Sequence, residues 1–213
     1  MAVYDPEEQE KIDQLKSWWH TYGTLIIVAI AVAVASVAGM QAWKYYKKQQ
    51  LEQAAELFDS LLQIQASGDP KRISDAAGLL MEGFSESGYA SRAAIISARA
   101  SFDGQDLQNA RSRLQWVLDN SKEDELKTLV RLWLAGILLD EKKYDDALRV
   151  LEAKKQSGSF DGLYADLKGD ILVAAGKVAE ARAAYQVALD KMGGKGTYFN
   201  IVQMKLDALP EAS

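Results

Sequence analysis

From Thr21 to Trp43 the chain carries no charged side chain, and Leu25 to Met40 is almost entirely Leu, Ile, Val, Ala and Met. Thr24 to Trp43 matches the roughly 20 residues that a helix needs to cross a hydrocarbon core. Aromatics bracket the run. Trp18, Trp19 and Tyr22 precede it, and Trp43, Tyr45 and Tyr46 close it. Their apolar bodies and polar tips suit the headgroup level. The Val/Ala alternation at 32–35 would suit a strand, but the uninterrupted run is too long for one. Ala33-Val34-Ala35 and Ser36-Val37-Ala38 could pass for signal-peptide cleavage sites. Asp5, Glu7, Glu8, Glu10 and Asp13 against Lys11 and Lys16 give the wrong charge for a leader, so an uncleaved anchor is expected.

The pattern divides the chain into a short tail (1–20), a transmembrane helix (21–43), a juxtamembrane helix (44–66) and a repeat domain (67–213). Within the span, Leu25, Ala31, Ala35 and Gly39 are the expected anchor residues. Ala31, Ala35 and Gly39 stand four apart on one face, which either meets a second membrane helix or simply meets lipid. Two lysines lie before the span and three, Lys44, Lys47 and Lys48, after it. Taken alone, that excess would put the C-terminal part in the cytoplasm, but the rule is weak for long segments.

Beyond the span, Ala54, Leu57, Phe58, Leu61 and Leu62 recur at helical spacing until Gly68-Asp69-Pro70 breaks the run. Four segments then align on Ala76, Ala110, Ala147 and Ala181, spaced 34, 37 and 34 residues apart. Four residues after each stands a large apolar side chain: Leu80, Leu114, Leu151 and Tyr185. This is the helix–turn–helix period of tetratricopeptide repeats, about 34 residues. The alanine marks a close crossing within a hairpin, and the large residue fills the space between hairpins. Leu134-Ala135 with Leu138, and Gly169 with Leu172, supply the matching first-helix positions. Lys142 stands where glycine is usual, and Lys154 where a small residue is usual. The expected fold is all-α: a transmembrane helix followed by a tetratricopeptide-like α-solenoid, with Tyr198 to Leu209 as a capping helix.

With 213 residues, a net charge of −5, three prolines and no cysteine, the composition fits a helical domain and excludes disulfides and thiolate chemistry. No basic stripe exists for nucleic acid. Gly194-Lys195-Gly196-Thr197 fails as a phosphate loop because Gly196, not Ser or Thr, follows the lysine. His20, the one histidine, sits at the membrane boundary and builds no metal site or catalytic pair. The acids at Glu123-Asp124-Glu125 read as a helix start after Asn120-Ser121. No enzyme, cofactor, metal or small-molecule substrate is expected. What remains is a groove lined by the first helix of each hairpin: Arg92, Arg99 and Asp103, then Leu132 and Asp140, then Asp166, Asp170 and Val173. Its mixed charge suits extended or unfolded polypeptide. Leu132→Asp or Arg99→Glu is expected to weaken binding without unfolding the domain.

Several landmarks resemble one family in order and total length. They are Val3-Tyr4, Trp18-Trp19 before an Ala/Val/Gly span, Trp43-Lys44-Tyr45 after it, Ala165-Asp166-Leu167-Lys168-Gly169-Asp170, Ala181-Arg182-Ala183-Ala184-Tyr185 and Gln203-Met204-Lys205-Leu206. Together they resemble the bacterial YfgM-type ancillary subunit of the SecYEG translocon. The resemblance implies an inner-membrane protein with a cytoplasmic N-terminus and periplasmic repeats. It implies association with the translocon and with a PpiD-type periplasmic chaperone, and a part in handling emerging proteins. The alternative from the residues is a membrane-anchored regulatory scaffold that binds a signalling protein without secretory clients.

Overall fold

The computed structural model describes residues 6–153, 158–194 and 196–210, with side chains from residue 10 onward. Val3-Tyr4, Lys154 and Lys195 lie outside the described residues. Nine helices occur among the described residues, and no strand. The first, α1 (Pro6–Gln65), is a single 60-residue helix. It continues without a break through the expected limits of tail, span and juxtamembrane segment.

The chain divides into two compact units after Glu52. In the first, the span is exposed except at Gly23 and Ile26, with Leu25 at 69% and Met40 at 60%. Ala31, Ala35 and Gly39 are exposed too, and a Cβ on Gly39 would touch nothing. This helix is long and apolar enough to cross a membrane. At its N-side Trp19 lies on Gly23, and at its C-side the Lys47 ammonium sits 5.3 Å from the Trp43 ring centroid.

The second unit starts at Gln53, earlier than the boundary at 66–67 that the pattern suggests. Ala54 and Leu61 of α1 are fully buried in one cluster with Ile73, Ala77 and Leu80 of α2 (Pro70–Gly83) and Ala90 and Ala93 of α3 (Gly88–Asp103). The apolar stripe at the end of α1 therefore serves as the first helix of the array. Asp69 caps α2 by accepting from the backbone N–H groups of Lys71 and Arg72, and Pro70 fills the position where a missing N–H costs nothing.

The remaining helices are α4 (Leu107–Asn120), α5 (Asp124–Asp140), α6 (Tyr144–Glu152), α7 (Asp161–Ala174), α8 (Val178–Met192) and α9 (Thr197–Asp207). Three turns share one geometry. The N–H of Asp106, Lys143 and Lys177 each donates to a carbonyl five residues back, on Ser101, Leu138 and Leu172, at 2.8 Å. Gln105, Lys142 and Gly176 precede them with φ of 62°, 61° and 76°. This is the Schellman ending, with its left-handed residue just past the helix. Lys142 keeps the geometry that glycine adopts more easily, so the fold imposes the turn on an unfavourable side chain.

Ala110, Ala147 and Ala181 are fully buried, and Leu80, Leu114, Leu151 and Tyr185 are buried beside them. The first repeat differs. Ala76 is half-buried and Ala77 takes the deepest position, because α2 packs its small residues against Ala90 and Ala93 of α3. Trp116 packs against both the first and the central cluster, so the core runs continuously between hairpins.

Candidate functional site

The eight groove residues have different fates. Arg92 is a clamp between elements. Its guanidinium donates to both Glu123 carboxylate oxygens at 2.7 and 3.0 Å and to the Gly88 carbonyl at 2.9 Å. The two-pronged bond holds the Arg92 charge more firmly than usual, outweighing partial burial, and pulls the Glu123 carboxyl below its ordinary range. Glu123 stands at the start of α5, with Asp124 and Glu125 in the first turn, where acids offset the helix dipole. Arg99 is exposed and pairs with Asp103 one turn on, at 2.9 Å. Asp140 is exposed at the end of α5, and Val173 is 39% exposed on α7.

Leu132 is only half-exposed and packs against the central core. An aspartate there would put a charge against buried apolar surface, so Leu132→Asp tests folding as well as binding.

Asp166 is buried and Asp170 is partly exposed, and both are engaged by α9. Asp166 is 2% exposed. The Lys205 ammonium of α9 reaches its oxygens at 2.9 and 3.1 Å and Asp170 Oδ2 at 2.8 Å. The Tyr198 hydroxyl donates to Asp166 at 2.6 Å, and the Tyr185 hydroxyl to Asp170 at 2.7 Å. Two carboxylates one turn apart on α7 would repel. One lysine and two phenols compensate them and fix α9 to α7 and α8. Burial works against the Lys205 charge, but the bonds to Asp170 and Asp166 outweigh it and raise its pKa. Burial, then the bond to Asp170, raises that of Tyr185; burial, then the bond to Asp166, raises that of Tyr198.

Comparison with known proteins matches this architecture. A family model described as a tetratricopeptide repeat-like domain covers residues 16–211. The ancillary SecYEG translocon subunit of Neisseria gonorrhoeae (strain ATCC 700825 / FA 1090) is 30% identical over 95% of this chain and 97% of its own length. That of Haemophilus influenzae (strain ATCC 51907 / DSM 11121 / KW20 / Rd) is 30% identical over 97% of this chain and all of its own. That of Escherichia coli (strain K12) is 24% identical over 98% and 99%.

The chain belongs to the ancillary SecYEG translocon subunit family.

A solved structure described as "MamA RS-1 ArsTM double mutant" superposes with a TM-score of 0.51 at 19% identity, over 73% of this chain and 85% of that one. At that identity the likeness is one of fold.

In this family member the pattern of alanines located the hairpins but missed Lys205, Tyr198 and the Tyr185 hydroxyl as one unit. A signal was present. Two acids at i and i+4 on a helix otherwise rich in apolar residues call for a cation from elsewhere. Trp133, 42% exposed on α5, also went unnoticed; it shares the face of Leu129 and Gly136, and a Cβ on Gly136 would meet nothing.

Proposed function

We propose that this chain is a non-enzymatic ancillary subunit of a SecYEG translocon, held in the bacterial inner membrane by α1. In this reading the N-terminus is cytoplasmic and the repeat unit periplasmic. The repeats bind partner proteins, including a PpiD-type chaperone, and assist the handling of secreted chains. The observation that carries the reading is the extent of the likeness. Relatives bearing the translocon-subunit name align over 95–98% of this chain, so the alignment runs through the apolar helix as well as the repeats. A likeness confined to the repeats would support only a protein-binding fold.

The surface offered to partners is the exposed part of the groove: Arg99, Asp103, Asp140 and Val173, beside the half-exposed Leu132. Asp166 and Asp170 contribute by holding α9, and Arg92 by holding Glu123.

Protease added to intact spheroplasts tests the topology. Digestion of the repeats supports the translocon reading, and site-directed cross-linking from position 99 or 173 to arrested secretory chains then tests the client role. Protection until the membrane is ruptured would favour the scaffold reading, which the lysine count after the span already leans towards.

A further inference from the structure

The charges around the span are distributed unevenly with depth. If Thr24–Trp43 fills the hydrocarbon core, the next few residues on each side occupy headgroup layers about 5–7 Å deep, or roughly four residues of helix. On the N-side that layer holds Trp19, His20, Thr21, Tyr22 and Gly23, with no lysine, arginine or acid. Lys16 lies deeper into the water and is 3.4 Å from Asp13. On the C-side the layer holds Lys44, Lys47 and Lys48, and no acid occurs anywhere from residue 17 to residue 51.

The three lysines stand at i, i+3 and i+4, on one face of α1. Their backbone positions cover about 6 Å along the axis, the depth of one headgroup layer. Lys47 stacks over Trp43, and Lys48, 74% exposed, forms a solvent-exposed ion pair with Glu52 one turn on, at 3.6 Å, which water screens. On the flanks, Gln49 and Gln50 donate to the Tyr45 and Tyr46 hydroxyls at 3.1 and 3.2 Å. The result is a cationic face at phosphate depth, bounded by anchored aromatic rings.

We propose that Lys44, Lys47 and Lys48 form a binding face for anionic phospholipid headgroups in the leaflet on the repeat side of the membrane. The assignment to lipid phosphate rests on charge complementarity and depth. Which leaflet that is rests on the topology proposed above. The same lysines that oppose that topology as a sorting signal thereby acquire a role in the finished protein.

The test uses the full chain reconstituted in phosphatidylcholine vesicles containing spin-labelled phosphatidylglycerol or spin-labelled phosphatidylcholine. The motionally restricted fraction reports lipid at the protein surface. The wild type is expected to favour phosphatidylglycerol several-fold in low salt. The preference should fade at 1 M salt, where screening shortens to about 3 Å. Lys44→Gln, Lys47→Gln and Lys48→Gln together should abolish it, the three arginine replacements should keep it, and Lys11→Gln with Lys16→Gln should leave it unchanged. Equal association of both lipids with the wild type would overturn the proposal. So would a preference that survives the triple glutamine variant. The selectivity is read in either insertion orientation, so its failure is separate from failure of the topology, which spheroplast proteolysis reports.

Discussion

Gly169 of α7 lies directly under the ring of Tyr185 of α8: a Cβ on Gly169 would stand 2.3 Å from Tyr185 Cε1 and 2.4 Å from Cδ1. The ring cannot swing aside cheaply, because its hydroxyl is tied to Asp170 and its body is 2% exposed. Glycine is required here for space, not for an unusual backbone angle.

Gly169→Ala is therefore expected to destabilise the repeat unit by about 1–3 kcal/mol, the usual cost of overpacking. Gly162→Ala is the control. Its Cβ would meet Met192 Cγ at 2.9 Å and Cε at 3.2 Å, on a flexible side chain that can repack. Urea unfolding should show a clear drop for the first and a loss below about 1 kcal/mol for the second. Equal losses would remove the argument.

Lys205→Met should loosen α9. It removes the cation from two carboxylates, one of them almost wholly buried. Lys205 is itself about one-third exposed, so the loss should fall below the 3–5 kcal/mol typical of fully buried pairs, at about 1–3 kcal/mol. Hydrogen exchange in residues 197–207 should rise before that of α3 and α4. Unchanged protection of α9 would show that Val202 and Leu206 hold the helix without the clamp.

Stability should fall on the alkaline side. The pKa of Tyr164 is pushed up to about 12 by burial, against the opposing pull of Arg131. Its hydroxyl donates to the Thr128 carbonyl at 2.7 Å. Tyr185, Tyr198 and Lys205 are also raised. Each holds its proton more tightly folded than unfolded. Their contribution is complete below the unfolded values, about 10, and is lost as pH climbs through the higher folded ones. The urea midpoint should hold near pH 8–9 and decline above about pH 10. The decline should be shallower in Tyr164→Phe and Tyr185→Phe. A midpoint flat to about pH 12 would contradict the burial of these phenols.

Lys142→Gly should stabilise. The left-handed backbone costs a residue with a Cβ about 1–2 kcal/mol. Glycine avoids that cost but gives back about 0.5–1 kcal/mol through its freer unfolded chain. A net gain of about 0.5–1 kcal/mol, or a few degrees in Tm, is expected. Gly176→Ala at the corresponding turn should lose a similar amount. A loss for Lys142→Gly would mean that the lysine side chain makes a compensating contact.

Arg99→Glu should leave stability within about 0.5 kcal/mol, because Arg99 is 72% exposed and its ion pair with Asp103 is screened by water. If the groove binds partners, co-purification with the translocon should weaken. Unchanged co-purification together with unchanged stability would remove Arg99 from the partner surface.

The sequence by itself determined the elements whose cause is local. An apolar run long enough to cross a bilayer needs no partner to be recognised. Alanine spaced at 34, 37 and 34 residues, with a large residue one turn later, reports a hairpin crossing that each repeat must solve in the same way. Asp69-Pro70 marks a helix start through the backbone groups beside it. Tertiary structure decided what depends on distant pairs. It began the repeat unit at Gln53, because the end of α1 finds the apolar faces of α2 and α3. It moved the deepest alanine of α2 from Ala76 to Ala77. It buried Asp166 and paired both Asp166 and Asp170 with α9, because Lys205 and Tyr198 come from a helix more than 25 residues away in the chain. A charge on a helix face looks solvated in sequence, and only packing shows which charges the fold itself consumes.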